Sequence, residues 1–208
     1  MIPTLPFRPR NHLAEIILGA LHDPTARTEL GRLAGEPSPP TEPPAWLRDA
    51  RPEDAALIRA RARCAAEALG ALPLLADEPS LDEALVGAAA LFDAGLHFEV
   101  HELLEPFWAR AGAPERQALQ GLIQIAVGYQ HLANGNLEGA RSLLAEGGVR
   151  AREGRLAGLD LGGFADAVAG TVGRVADLPA TEVPSFPRRA GPIGAGALRV
   201  TRVESNGP

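Results

Sequence analysis

The chain contains no lysine: all twenty of its basic side chains are arginine. Schiff-base chemistry on a lysine amine and nucleotide hydrolysis on a phosphate loop both need that ammonium, so both are excluded. There is one cysteine, Cys64. Disulfide frameworks and cysteine-ligated zinc are excluded, and a reducing, cytoplasmic setting is the expectation. Aromatic residues are only 4% of the 208, against 46% hydrophobic residues rich in alanine. That balance favours closely packed helices over an aromatic-rich β-sandwich. Basic charge is also short: the net charge is -6, and no basic face for nucleic acid is evident. The opening stretch "MIPTLPFRPRNHLAEIILGAL" lacks a signal-peptide core of proper length, and its apolar run "IILGAL" is far too short to cross a bilayer. No G-x-S-x-G elbow occurs, and neither a strand nor a helix frames "GPIGAG" at 191–196, which reads as tail.

What is present is helical punctuation. Asn11 is placed to cap a short helix ending near His22, and Asp23-Pro24 reads as cap plus first-turn proline for a second. "EPSPPTEPPA" is an extended linker. After Pro52 a long helix follows, with Arg59, Arg63 and Glu67 on a solvated face. Ser80 and Glu83 form a capping box for a helix through Phe92, which Gly95 breaks. Helices are then expected from there to about Ala111, and from Glu115 to about Asn134. Gly135 stops the second of these, and Asn136 caps the next helix, "LEGARSLLAEGG". A last amphipathic helix lies in "GGFADAVAGTVGRVADL". The expected organisation is short helices in 1–35, a proline-rich linker in 36–45, an all-helical core in 46–178 and an irregular tail in 179–208. The fold class is all-α: a bundle built on two antiparallel helical hairpins turning at Gly95 and Gly135.

The chemistry concentrates in "LHFEVHELLEPFW", Leu96 to Trp108. At about 100° per residue, Val100, Leu103, Leu104 and Phe107 form an apolar face, and Glu99, His101, Glu102 and Glu105 an acidic arc. His97 and Trp108 lie at the border. Pro106, in mid-helix, is expected to bend the helix or end it early, because it has no N–H to give Glu102. The helix after it is apolar almost all round, yet Gln117, Gln120, Gln124 and His131 fall on one stripe, with Gly121 and Gly128 beside it. A polar stripe on a buried helix needs partners, since an unpaired buried amide costs roughly 1–3 kcal/mol. The expected partner is the acidic arc of the preceding helix, giving a seam of Glu99, His101, Glu102 and Glu105 against Gln120, Gln124 and His131.

Metal binding is a rival reading. His97 and His101 stand at i and i+4, but H-F-E-V-H is neither H-E-x-x-H nor H-x-x-E-H. His101, Glu105 and His131 remain the metal-ligand candidates, and general acid/base chemistry by His101, Glu102, Glu105 and His131 is a further reading.

These residues resemble a known family. "LFDAGLHFEVHELLEPFW" followed by "LQGLIQIAVGYQHLANGNLEGARSLL" is similar to domain of unknown function 309, whose pattern joins F-N-x-G, F-E-x-H-E-x-L-E-x-x-W, L-Q-G-L-I-Q and G-N-x-x-G-A. The matching residues are Phe92 and Gly95; Phe98, Glu99, His101, Glu102, Leu104, Glu105 and Trp108; Leu119 to Gln124; and Gly135, Asn136, Gly139 and Ala140. The likeness covers about 84–150. The chain departs from the pattern at Asp93, where the family usually has Asn, and at Pro106, and His97 is not part of it. The resemblance implies a compact helical fold and no activity.

The functional expectation is a binding module for a small polar or cationic ligand or a protein segment. Its cleft would be lined by Glu99, His101, Glu102, Glu105, Trp108, Gln120, Gln124 and His131. No catalytic residue is assigned, and no cofactor, nucleic-acid partner or membrane partner is expected. The alternatives are a metal-assisted or acid/base hydrolase and a purely structural polar network.

Overall fold

The structure, a computed structural model, describes residues 4–37, 44–48, 50–156 and 158–189. Most of the expected linker and everything from 190 onward, "GPIGAG" included, lie outside the described residues. Among the described residues the regular structure is helical: α1 (Phe7–Gly19), α2 (Pro24–Ala34), α3 (Ala45–Arg48), α4 (Pro52–Gly70), α5 (Leu81–Asp93), α6 (His97–Arg110), α7 (Glu115–Ala133), α8 (Leu137–Glu153) and α9 (Leu161–Val172), then a short 3-10 turn at Ala180–Glu182. The fold is all-α, as expected, and no described helix is long and apolar enough to cross a membrane.

Local chemistry sets most of the boundaries. Asp23 accepts from the Thr25 amide ahead of Pro24, and Ser80 and Glu83 close a reciprocal capping box on α5. The box holds the Glu83 carboxyl below its usual range, chiefly through the Ser80 amide. Asn136 and Asp160 cap α8 and α9 through the amides of Gly139 and Gly163. Gly95 (φ 76°) and Gly135 (φ 78°) turn the chain after α5 and α7 in a backbone region that side-chain-bearing residues rarely adopt. One expectation needs correcting, and one alternative left open is settled. Asn11 lies inside α1, which starts four residues earlier after Pro6, with no side-chain cap. Pro106 does not end α6, which continues to Arg110; one lost backbone bond does not outweigh the packing of Val100 and Leu104 in the core.

The register of the central helices follows from contacts. Phe92 meets His97, and Leu103 lies against Gly87, so α5 and α6 run antiparallel. His97 meets Tyr129 and Trp108 meets Arg116, so α6 and α7 do too. Gln117 reaches Glu153 and Gln124 reaches Glu146, which sets α8 antiparallel to α7. The last pair is very close. A Cβ on Gly121 would strike the Ala151 backbone, and one on Gly128 the Leu144 side chain. One continuous core joins Leu13 and Ile17 of α1 and Leu30 of α2 with Ile58 of α4, Phe92, Val100, Leu122, Tyr129, Leu144 and Phe164. Phe186, beyond the last helix, is buried in the same core against Phe92 and Phe164.

Candidate functional site

The acidic arc of α6 divides in two. Glu99 faces inward and is 1% exposed. Its oxygens lie 2.6 and 2.8 Å from Nη2 of Arg61, itself 2% exposed on α4. This buried ion pair was not anticipated. The signal was present, however: Arg61 lies at helical spacing from Ile58, Ala62, Ala65 and Leu69, all buried, whereas Arg59, Arg63 and Glu67 are exposed as expected.

The rest of the arc faces outward. His101 and Glu102 are half-buried and Glu105 is exposed. The two ring nitrogens of His101 take one carboxylate each: Nδ1 lies 3.0 Å from Glu102 and Nε2 3.8 Å from Glu105. One ligand atom from each of the three lies within 4.8 Å of the others. These are oxygen and nitrogen donors of the kind that suit a divalent cation.

The glutamine stripe finds partners on a different helix from the one expected. Gln117 donates to Glu153 over 3.1 Å and Gln124 to Glu146 over 3.5 Å, both on α8. The expected seam with the α6 arc is therefore corrected in this respect. The reason is geometric: the glycines beside the stripe draw α8, not α6, onto that side of α7. Gln120 is half-buried on the same helix.

His131 stands at the far end of α7, with Nδ1 2.7 Å from the Asn136 amide nitrogen. The Asn136 oxygen accepts from Gly139, so its NH₂ donates to His131. His131 thus braces the α7–α8 turn and lies outside the His101–Glu102–Glu105 cluster.

Trp108 is covered by the Arg116 guanidinium, 4.2 Å from the ring, which also donates to the Trp108 carbonyl over 3.0 Å. By the register of Trp108–Arg116 and His97–Tyr129, His101 stands level with Gln124. Among the described residues, the Gln124 Oε1 and the Trp108 Nε1 are buried without a hydrogen-bond partner.

His97 points inward. It is 3% exposed, packs edge-on to Phe92 (4.9 Å between centroids) and lies 5.7 Å from Tyr129. Burial, with a smaller contribution from the Arg61 cation, pushes its imidazole down to about 3, so it is neutral near pH 7. Its direction separates it from His101 and removes it from the outward acidic face of α6. Tyr129 donates to Thr171 over 3.0 Å, because the Thr171 hydroxyl hydrogen goes to the Val168 carbonyl. Burial pushes the Tyr129 phenol up to about 12.

No curated protein and no solved structure matches the chain. Residues 85–143 match the family model described as "Domain of unknown function (DUF309)". The match runs from α5 into α8 and takes in the His101 cluster, the glutamine stripe and both glycine turns, so this segment of the chain is a domain of that family.

Proposed function

We propose that the protein is a binding module for a cationic group, carried by a small ligand or a protein segment, on the face shared by α6, α7 and α8. The observation that carries this reading is the Gln124 Oε1, buried and, among the described residues, without a donor, on the side chain whose amide nitrogen meets the Glu146 carboxylate, which can only accept. A buried amide oxygen in that state costs roughly 1–3 kcal/mol. What the neighbourhood lacks is an N–H donor or a cation: Glu146 accepts from the other end of the same amide, and the His101 cluster of α6 stands at its level along the helix pair. At one end of the α6–α7 pair the Arg116 guanidinium packs over Trp108, which supports a cation beside these helices. Titration calorimetry of the full chain with putrescine tests the reading. Saturable binding that weakens in Glu105→Gln and Glu146→Gln supports it, and no binding in the unmodified protein counts against it.

A second reading is supported by the three converging donors of His101, Glu102 and Glu105. Here the cation is a divalent metal, which would polarise a substrate or a water for hydrolysis. The His131 of the expected ligand set lies outside the cluster, so the site would rest on three residues of one helix. Titration with Mn²⁺, read by paramagnetic broadening of the His101 ring resonances, separates the two readings.

A further inference from the structure

Beyond α9 the chain returns across the bundle as an extended strap, Val183–Arg189. Val175 and Leu178 are still buried in the core, but from Pro179 to Arg189 only Phe186 is. Phe186 is 2% exposed, with ring centroids 5.3 Å from Phe92 of α5 and 6.0 Å from Phe164 of α9. Pro184 and Pro187 bracket it. A proline next in sequence keeps Phe186 out of helical backbone, so the segment is extended by its own chemistry.

Asp93, the last residue of α5, holds two points of the strap at once. Its Oδ1 accepts from the Phe186 amide over 2.8 Å, and its Oδ2 meets Arg188 at 2.7 Å. Arg189 turns the other way and pairs with Asp82 at the start of α5. Among the described residues, the Phe186 amide makes the one backbone hydrogen bond from the strap to the bundle. The first half of the strap is not packed down. A cleft of about 360 Å³ opens there, with Val183, Pro184 and Ser185 on one side and Ala94 and Gly95 on the other. The strap is thus held by one aromatic side chain, one amide and two ion pairs at the surface. Such pairs contribute little and are screened by salt.

We propose that the surface of α5 beside Phe164 is a docking groove for an extended aromatic–Pro–Arg segment, which the chain's own Val183–Arg189 fills as a releasable strap. The recognition chemistry is complete in the contacts made. The Phe92 and Phe164 rings take the aromatic side chain. Asp93 takes a main-chain amide and, two residues on, a guanidinium. Asp82 takes the next guanidinium. An extended segment recognised by a main-chain bond plus side-chain pockets is a recurring mode of peptide binding. The strap leaves as a unit while the bundle stays folded, and a segment of the same chemistry takes its place. Tethering gives the strap a high effective concentration, so the groove is closed to outside segments until the strap is loosened.

The test is fluorescence anisotropy with a labelled synthetic peptide copying Val183–Arg189, titrated with the full chain. The Phe186→Ala chain, whose own strap lacks its anchor, should bind the peptide saturably. The unmodified chain should bind it about tenfold more weakly or less. Peptides carrying Phe186→Ala or Arg188→Glu should lose about tenfold or more on the Phe186→Ala chain. Arg188→Glu with Arg189→Glu changes exposed side chains only, and this double variant should also bind the peptide more tightly than the unmodified chain does. It keeps the test open if circular dichroism shows Phe186→Ala unfolded. Hydrogen exchange of the unmodified chain reads the release itself. The Phe186 amide should exchange about tenfold or more faster than the buried Tyr129 amide of α7, and faster again in about 1 M sodium chloride. Lack of saturable binding to either folded variant, equal binding of the peptide without its aromatic, or a Phe186 amide as protected as that of Tyr129 would overturn the proposal. So would a dimer of the unmodified chain that the peptide dissociates, which would assign the groove to the strap of a second copy.

Discussion

Arg61 of α4 and Glu99 of α6 form a buried ion pair in which one guanidinium nitrogen, Nη2, meets both carboxylate oxygens, joining the N-terminal helices to the family-like segment. Removing Arg61 leaves the Glu99 charge buried without its cation, and removing Glu99 takes the carboxylate away from a buried guanidinium. Arg61→Leu and Glu99→Leu should each destabilise the fold by about 3–5 kcal/mol. The double variant should cost much less than the sum of the two. Urea unfolding of the four proteins measures this. Additive losses would show that the two side chains are not coupled.

The buried His97 gives stability a pH dependence of predictable sign. Its folded value, about 3, lies below the ordinary 6.5. Between these values the unfolded chain binds the proton and the folded one does not. The His97 contribution is therefore complete above pH 6.5 and is lost progressively as pH falls toward 3, over a range on the order of a few kcal/mol. His97→Phe should flatten the stability profile between pH 4 and 6.5 relative to the unmodified protein. Parallel profiles in that window would contradict the burial of a neutral imidazole.

Gly121 and Gly128 let α7 and α8 approach closely, but their neighbours differ. A Cβ at Gly121 meets the Ala151 backbone, which cannot turn aside, whereas at Gly128 it first meets the Leu144 side chain. Gly121→Ala should cost about 1–3 kcal/mol and Gly128→Ala less, as read from thermal or urea unfolding. The reverse order would mean that the helices separate freely at Gly121.

Much of this fold was legible in the chain. Ser80 with Glu83, Asp23 with Pro24, and Gly135 with Asn136 are local signals, and each sits at the boundary it marks. The candidate site was only half legible, because periodicity shows which face of a helix is polar but not which neighbour meets it. The glutamines of α7 were matched with the preceding helix. Yet Glu146 and Glu153 of α8 are seven residues apart, as are Gln117 and Gln124, and that equal spacing encodes the observed pairing. Arg61 was hidden among look-alikes at 59 and 63, and its partner is 38 residues away, beyond any local pattern. Asp93 acts through Phe186 and Arg188, in a segment without periodicity, so nothing in the sequence foretold its role.

The central claim is that the α6–α8 face takes a cation at the level of His101 and Gln124. The most direct test follows the Gln124 side-chain amide and the Glu105 and Glu146 carboxylate carbons by NMR as putrescine is added to the full chain. The account predicts saturable shifts of all three groups. A Gln124 amide that stays in place while putrescine reaches saturating levels, or shifts that scale only with ionic strength, would contradict it.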